Sequence, residues 1–184
     1  MNYHESVVLS DRFVELSKSQ HDRQSFDCGQ EPLNTFLQTR ALKHQASGIS
    51  KTMVLSDTSA GADGKYPIRA FYTLSSSMIE RETLPPPDAK KLPRYPVPVF
   101  VLAQLATDSR YHGSGLGKIT LINALERCCS IYNELPAYAI VVDCLDSKAE
   151  RFYTKYGFSF LCLVNERNRL FISMKTVQQL FSPD

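Results

Sequence analysis

The chain has 184 residues, and its 21 Lys and Arg against 19 Asp and Glu leave a formal net charge of +2. With 43% hydrophobic and 22% charged residues, it has the composition of a globular protein, which argues against a disordered, collagenous or coiled-coil chain. The length predicts one domain over residues 1–184, and the near-neutral balance excludes a uniformly basic coat for nucleic acid while leaving room for local basic patches.

Helices and strands alternate along the sequence. In chain order, we expect a helix over 31–46, strands over 51–56, 68–79 and 99–106, a helix over 117–133, a strand over 139–142, a helix over 148–156, and strands over 158–164 and 170–175. The helix over 117–133 is predicted from its apolar positions, which are Ile119, Ile122, Leu125, Cys129 and Tyr132. This order predicts a mixed α/β fold.

Local residue patterns set the expected boundaries of these elements. Pro32 suits the first turn of the first helix, and Gly48 its end. Ser147 and Glu150 form a capping-box pattern for the helix over 148–156. The stretch 84–98 holds six prolines and is expected to be a long surface connection, because proline breaks helices and central strands.

Cysteines and apolar runs indicate the compartment. The five cysteines are odd in number and form no C-x-x-C pair, so neither a disulfide framework nor a metal site is indicated, and free thiols in a reducing cytosol are expected. Met1–Glu5 has no basic run leading into an apolar segment, and no stretch reaches the ~20 apolar residues that a membrane helix needs. We therefore predict a cytoplasmic protein that does not enter a membrane.

A glycine-rich turn follows the predicted strand over 99–106. It reads Arg110-Tyr111-His112-Gly113-Ser114-Gly115-Leu116-Gly117-Lys118. Glycine permits positive φ and a close approach of ligand to backbone, and the N-terminus of the next helix attracts anions. The sequence therefore predicts a pyrophosphate-binding loop over about 105–118, with a glycine turn that binds nothing as the alternative.

Only one of three phosphate-binding patterns fits this turn. A Walker loop needs Ser or Thr after its lysine, but Ile119 follows Lys118. A dinucleotide fingerprint needs G-x-G-x-x-G near the beginning of a βαβ unit, whereas this turn has G-x-G-x-G two thirds of the way along the chain. The pattern [QR]-x-x-G-x-[GA] is met by Arg110, Gly113 and Gly115. Here the chain resembles the GCN5-related N-acetyltransferase family.

The resemblance implies a fold and a co-substrate. The fold is a single α/β domain with a mixed, mostly antiparallel central sheet flanked by helices, and the co-substrate is acetyl-coenzyme A without a metal. The residues implied in coenzyme binding are Leu105, Ala106, Thr107, His112, Gly113, Ser114, Gly115, Leu116 and Gly117.

A second stretch strengthens the resemblance. Ala149 to Phe158 matches A-x-x-F-Y-x-x-x-G-F, in which the family's tyrosine faces the thioester sulfur, and that tyrosine is Tyr153 here. Phe152 and Tyr156 are four residues apart and are expected to be core aromatics, whereas Tyr153 projects about 100° away from Phe152. The alternative is that all three rings belong to the core.

Two further motifs resemble the acetyltransferase toxins of bacterial toxin–antitoxin pairs. Phe26 to Leu37 matches F-x-C-G-x-x-x-L-[DN]-x-[FY]-L, and Arg169 to Lys175 matches a closing strand R-L-x-x-x-M-K. Thr107 and His112 depart from the usual Val and Gln, at positions where backbone contacts dominate. The resemblance implies a dimeric toxin that acetylates the α-amino group of aminoacyl-tRNA, blocks translation and is neutralised by a ribbon-helix-helix antitoxin.

The residues allow a mechanism for this reaction. Residues 99–106 hold no Asp or Glu, which suits an α-amine with a pKa of about 7.7–8 better than a lysine near 10.4. Backbone N–H groups of Leu105 to Thr107 are predicted to position the pantetheine arm and polarise the acetyl carbonyl. Tyr153 is predicted to donate its proton to the coenzyme A sulfur.

Local basic stretches are candidates for tRNA contact. Residues 32–56 carry Arg40, Lys43 and Lys51 and no acid, and residues 89–106 carry Lys90, Lys91 and Arg94 and no acid. We predict tRNA binding at Arg40, Lys43, Lys90 and Lys91. An ordinary solvated helix face and loop explain the same residues.

Two other functions fit the sequence. The first is an acetyltransferase of a small-molecule amine or a protein N-terminus, and the second is a non-catalytic module that binds an acyl-coenzyme A and acts through a protein partner. Mass spectrometry of acetylated acceptors separates the first from tRNA acetylation, and growth arrest that depends on Tyr153 separates the second.

Overall fold

The computed structural model of the chain describes residues 12–182. Residues Met1–Glu5, on which the expectation of no leader segment rests, lie outside this part. The chain forms two compact units, one of residues 1–74 with 104–124 and one of residues 75–103 with 125–184.

Strands and helices follow each other in mixed order. The strands are β1 (Val14–Glu15), β2 (His21–Asp22), β3 (Lys51–Ser56), β4 (Tyr66–Ile79), β5 (Val97–Thr107), β6 (Ala139–Asp143), β7 (Ser159–Val164) and β8 (Arg167–Ser173). The helices are α1 (Glu31–Thr35), α2 (Ala41–Ala46), α3 (Pro86–Ala89), α4 (Leu116–Glu134), α5 (Ser147–Lys155) and α6 (Met174–Phe181). A π-helical turn (Phe36–Arg40) joins α1 to α2, and 3₁₀ turns lie at Arg81–Thr83 and Ser109–Tyr111.

The first unit is built on β3 and β4. β1 pairs with β3 and β3 with β4, both antiparallel, and β2 pairs in parallel with β4. Aromatic and β-branched residues favour these strands because their side chains pack well on a pleated surface. Phe26 packs on Phe71 of β4 with ring centroids 5.3 Å apart, and Leu37 is fully buried beside them. The segment around Phe26 is therefore anchored in the core of this unit.

The second unit contains β6, β7, β8 and most of β5. β5 pairs with β6 in parallel, whereas β6 with β8 and β7 with β8 are antiparallel. Asn165 and Glu166 connect β7 to β8 with φ of 48° and 64°, the positive values that tight hairpin turns need. Val99, Ala139, Val141 and Phe171 form the core of this unit with neighbouring apolar residues. The pairings are mixed and mostly antiparallel, which confirms the predicted α/β class.

The first helix is confirmed, with one irregular turn inside it. The N–H of Ala41 donates to the carbonyl of Phe36, five residues back, which makes the turn π-helical. Leu37 and Ala41 are both fully buried, so the core holds the irregular turn in place. The helical stretch ends at Gly48, whose φ is 70° and whose N–H donates to the carbonyl of Gln45.

Several predicted boundaries are wrong. The proline-rich stretch was expected to hold no helix, but Pro86–Ala89 forms one turn, since proline is tolerated in the first turn of a helix. β5 begins at Val97 and includes Pro98 at an exposed position. Ser147 was expected to cap the later helix, but the cap is Asp146, whose carboxylate accepts a 2.8 Å hydrogen bond from Ala149 N–H.

The closing motif was predicted as a strand over 170–175, and its end is wrong. Strand β8 ends at Ser173, whose hydroxyl accepts a hydrogen bond from Thr176 N–H and so begins α6 at Met174. Residues 167–169, expected in the connecting loop, are in β8 and pair with β7. The end of R-L-x-x-x-M-K therefore belongs to a helix.

The buried face of α4 also differs from the predicted one. Ile119 and Ile122 are exposed, at 37% and 39%. The buried positions are Leu116, Thr120, Leu121, Ala124, Leu125 and Cys128. The prediction that Phe152 and Tyr156 are core aromatics is wrong. Their ring centroids lie 5.1 Å apart, but both rings are only half-buried, and Tyr153 is the buried ring.

No helix within residues 12–182 is long and apolar enough to cross a bilayer.

Candidate active site

The glycine-rich turn of the first unit connects β5 to α4. After Thr107, the chain makes the 3₁₀ turn Ser109–Tyr111 and then passes through Gly113 and Gly115, whose φ values are 75° and 84°. L-residues rarely adopt this region, so the turn needs glycine at both positions. A β-carbon added to either glycine would meet no atom within 4 Å. The backbone here is therefore open to a ligand.

The N-terminus of α4 supplies hydrogen-bond donors next to this open backbone. The N–H of Ile119 donates to the carbonyl of Gly115 at 3.2 Å, as the helical pattern begins. The N–H groups before it, at the first helical residues, have no carbonyl one turn back. The aligned peptide dipoles of this 19-residue helix add partial positive charge at the same end. Such an end can hold a pyrophosphate.

The structure brings the predicted coenzyme-binding residues onto one strand end and one turn. Leu105, Ala106 and Thr107 are the last residues of β5, and the side chain of Ala106 is buried in the core of the first unit. The turn itself contributes His112, Gly113, Ser114, Gly115, Leu116 and Gly117. Leu116 is buried, so it can offer a ligand only its backbone.

His112 tightens the turn. Its Nε2 lies 3.0 Å from the carbonyl oxygen of Thr107, a hydrogen bond when that nitrogen carries the proton. Ser114 donates its hydroxyl to the carbonyl of Tyr111 at 2.5 Å. The side chains of His112 and Ser114, two of the predicted coenzyme-binding residues, therefore form hydrogen bonds with the backbone of the turn itself.

Two aspartates that were absent from the predicted site hold the turn in place. Asp108 is 2% exposed and accepts hydrogen bonds from Asp27 N–H at 3.1 Å and from the Nε of Arg110 at 2.8 Å. Asp57 accepts a 2.7 Å hydrogen bond from the Tyr111 hydroxyl. The only sequence signal was a carboxylate directly after a strand, because the Asp27–Asp108 and Tyr111–Asp57 hydrogen bonds join residues that are far apart along the chain.

Tyr111 lies among charged side chains. The guanidinium carbons of Arg69 and Arg110 lie 4.9 Å and 5.5 Å from the centre of its ring. Both arginines also lie within 4 Å of Asp57, at 3.8 Å and 3.9 Å. Burial, followed by the hydrogen bond to Asp57, raises the pKa of Tyr111, so its hydroxyl stays protonated and keeps donating.

In the second unit, α5 carries Tyr153. Its side chain is 6% exposed and contacts Phe152 and Phe158 with ring centroids 5.2 Å and 5.4 Å away. Among residues 12–182, none forms a hydrogen bond with its hydroxyl. Gly157, with a φ of 96°, ends the helix directly afterwards, as predicted. Aromatic packing therefore fixes the ring and leaves its hydroxyl to another partner.

The protonation of Tyr153 follows from its burial. Loss of solvent, followed by the nearby Cys144 thiol, raises the pKa of Tyr153 well above the ordinary value for tyrosine. Burial also raises the pKa of Cys144, to about 11. Both groups are therefore neutral near pH 7. A neutral phenol whose hydroxyl bonds no residue in the described part of the chain can donate its proton to an anion.

The two residues of the first unit that are predicted to contact tRNA are exposed. Arg40 ends the π-helical turn, and Lys43 lies in α2. Lys51, counted with them in the sequence, lies 3.1 Å from Glu15, so its charge is largely balanced. The net local charge is therefore smaller than the count over 32–56 indicated, and it rests on Arg40 and Lys43.

In the second unit, Lys90 lines a cavity of about 530 Å³. Its other charged lining residues are Arg81, Glu82 and Arg94, and apolar residues of the stretch 84–93 complete the wall. Arg81 pairs with Glu82 at 3.2 Å and donates to the carbonyl of Leu92 at 3.2 Å. Lys91 is exposed but does not line the cavity. Three cations against one acid make this cavity a candidate site for an anion.

The described residues contain no cluster of His, Cys, Asp and Glu that could hold a metal ion. Cys28, Cys128 and Cys144 are buried free thiols, and Cys129 and Cys162 are half-buried. Burial raises the pKa of all five, with Cys128 at about 12. They are therefore protonated thiols at neutral pH.

Known proteins are similar to this chain in sequence and in fold. No family model matches the chain. The tRNA-acetylating toxin of Mycobacterium tuberculosis is 32% identical over 137 residues, which cover 74% of this chain and 78% of the relative. The structure of AtaT complexed with acetyl-methionyl-tRNAfMet is 30% identical, with a TM-score of 0.82 over 93% of this chain and 99% of AtaT.

A second structure of AtaT carries other ligands. It is a tyrosine-to-phenylalanine mutant of AtaT bound to the C-terminus of the antitoxin AtaR and to acetyl-CoA, 25% identical, with a TM-score of 0.77 over 94% of this chain and 98% of that one. The fold and the relatives together define the chain as a GCN5-related N-acetyltransferase. Within that class, it belongs to the family of tRNA-acetylating toxins of toxin–antitoxin systems.

Proposed function

We propose that this chain is a toxin that transfers the acetyl group of acetyl-CoA to the α-amino group of an aminoacyl-tRNA and so blocks translation. The observation that carries the proposal is the likeness, over 93% of the chain, to AtaT complexed with acetyl-methionyl-tRNAfMet. The open glycine turn and the neutral, buried Tyr153 supply the chemistry that this reaction needs.

The coenzyme is bound mainly by backbone groups. The N–H groups of Gly113 to Gly117 face the pyrophosphate, and the end of β5, from Leu105 to Thr107, positions the pantetheine arm and polarises the acetyl carbonyl. This assignment is supported by the open space at Gly113 and Gly115 and by the N-terminus of α4.

Acetyl transfer then needs no strong base. The neutral amine attacks the thioester carbonyl, a C–N bond forms, the C–S bond breaks, and the amine loses one proton while the thiolate gains one. An α-amine has a pKa of about 7.7–8.0, so a substantial fraction is neutral near pH 7.5. β5 carries neither Asp nor Glu, which agrees with a reaction that begins from neutral amine.

Tyr153 is the proton donor in this proposal. Its hydroxyl gives its proton to the departing coenzyme A thiolate. The tyrosine is suited to the role because burial keeps it protonated and because its ring is fixed between Phe152 and Phe158. General acid catalysis by a positioned group contributes about 10²–10⁴-fold to a rate.

Charged tRNA is held by exposed cations. In the first unit these are Arg40 and Lys43, and in the second Lys90, which lines the cationic cavity, and Lys91. Phosphate contacts by such residues release counterions, so binding weakens as salt rises. The cavity supports Lys90 more strongly than the others, because Arg81 and Arg94 share its wall.

The remaining assignments follow the family. The chain is one acetyltransferase domain over residues 1–184, acts in the cytoplasm as a homodimer and is neutralised by a ribbon-helix-helix antitoxin. The complex of AtaT with the C-terminus of its antitoxin supports an antitoxin partner.

The decisive experiment uses purified protein, acetyl-CoA and total charged tRNA. After incubation, the aminoacyl ends are released and analysed by mass spectrometry, with peptides and small amines as competing acceptors in parallel. We expect acetylated aminoacyl-tRNA from the wild type and a loss of at least 100-fold in Tyr153→Phe. Acetylation only of peptides or small amines would contradict the proposal, and so would growth arrest that persists in cells expressing Tyr153→Phe.

A further inference from the structure

The motif F-D-C-G-Q-E-P-L-N near the N-terminus contacts the beginning of the coenzyme turn through the backbone of Asp27. Asp27 N–H donates to the Asp108 carboxylate at 3.1 Å, and Ser109 N–H donates to the carbonyl of Asp27 at 2.8 Å. These two hydrogen bonds run in opposite directions, and the first joins residues 81 positions apart. They fix the beginning of the turn against the motif.

Asn34, on α1, holds the motif's own backbone. Its side chain is buried, with 7% exposed, and its Oδ1 accepts from Cys28 N–H at 2.9 Å. Its Nδ2 donates to the Asp27 carboxylate at 2.8 Å, and that same oxygen accepts from Gly29 N–H at 2.8 Å. The buried Asn34 amide therefore holds Asp27 and Cys28 in place and orients the Asp27 N–H.

Asp108 is the point where these contacts meet. Its carboxylate also accepts from the N–H and the Nε of Arg110, at 3.0 Å and 2.8 Å. Burial by itself raises the pKa of Asp108, but the hydrogen bonds from Arg110 and Asp27 outweigh it and lower the pKa below the usual value. Asp108 is thus a buried, ionised group that needs all of its donors.

We infer that Asp27, Asn34 and Asp108, here called the clip, position the coenzyme turn, and that this is the task of the F-x-C-G-x-x-x-L-N motif. The inference rests on the proposed binding of acetyl-CoA by Gly113 to Gly117. Within the described part of the chain, the clip residues form no hydrogen bond with those glycines. They hold the segment 108–110 in place, and the glycine turn follows directly after it. They are positioning residues and touch no reacting atom.

The test measures acetyl-CoA affinity by calorimetry for Asp108→Asn and Asn34→Ala. The matched controls are Asp22→Asn, which also loses a carboxylate that accepts two backbone N–H groups, and Gln45→Ala, which loses an amide bonded to the backbone of Leu16 and Thr52. Thermal unfolding of all four variants reports stability separately.

We expect each clip variant to bind acetyl-CoA about ten-fold more weakly than the wild type, and each control to bind within about two-fold. At saturating acetyl-CoA, the kcat of the clip variants should stay within about two-fold, and the KM for charged tRNA should not change. A purely structural role would lower the Tm of clip and control variants alike without this split between KM and kcat.

Two results would overturn the inference. One is an acetyl-CoA affinity of the clip variants that falls no further than that of the controls at equal loss of Tm. The other is a fall in kcat with an unchanged KM for acetyl-CoA. Because the readout is coenzyme binding, a wrong assignment of the acceptor would appear only in the tRNA assay and would leave this result standing.

Discussion

Gly115→Ala separates backbone strain from ligand binding, because the chain offers a matched glycine elsewhere. Gly115 has a φ of 84°, and an added β-carbon meets nothing within 4 Å. Alanine in this left-handed region costs about 1–2 kcal/mol, with no clash to add. For a chain of 184 residues, this corresponds to a fall in Tm of about 2–8 °C.

Gly48→Ala is the control. Gly48 has a φ of 70° and equally open surroundings, but it ends α2 and lies outside the coenzyme turn. We expect the two variants to lose similar stability in thermal unfolding. Only Gly115→Ala should also weaken acetyl-CoA binding, by ten-fold or more, because its methyl group projects into the space that we assign to the pyrophosphate.

The assay is calorimetric titration with acetyl-CoA alongside a thermal melt of each variant. Equal acetyl-CoA affinity in both variants would refute the reasoning, since the open space at Gly115 would then not be the coenzyme site. A much larger loss of stability in Gly115→Ala than in Gly48→Ala would refute the strain estimate itself.

Three further results are expected. Tyr153→Phe should lower kcat at least 100-fold, with acetyl-CoA affinity and Tm nearly unchanged because the packed ring remains, as steady-state kinetics and calorimetry will show. Burial raises the pKa of Tyr153, so the hydroxyl keeps its proton as the pH rises. In a pH profile, kcat should therefore rise as the substrate amine loses its proton and then stay constant up to about pH 9.5. A fall in kcat that begins below about pH 9 would contradict this. Lys90→Glu should raise the KM for charged tRNA and flatten its salt dependence, whereas Lys18→Glu, also exposed, should not.

Local patterns were sufficient for most elements and for the glycine turn. Strand β3 matches its predicted range over 51–56, and the turn begins directly after β5 because a buried strand, a glycine run and a helix were each visible in a few consecutive residues. The predicted tyrosine lies on a helix ended by Gly157, as its motif indicated.

Errors arose where tertiary packing decides between equivalent local choices. α4 offers apolar residues around more than one face, and the face with Leu121 and Leu125 is buried while Ile119 and Ile122 remain exposed. Ser173 can continue a strand or cap a helix, and its hydrogen bond from Thr176 selects the cap. The roles of Asp27 and Asp108 depend on a contact over 81 positions, which no local window contains.

That long-range contact limits how the coenzyme turn can be transplanted. A fragment that begins after residue 30 would keep the whole R-x-x-G-x-G pattern but lose the Asp27 backbone groups that hold Asp108 and Ser109. Forming the contact between Asp27 and Asp108 also costs chain entropy, because it closes a long loop. Grafting this turn into another scaffold therefore requires the segment around Asp27 as well. A pattern search restricted to the glycines will also accept chains that lack this segment.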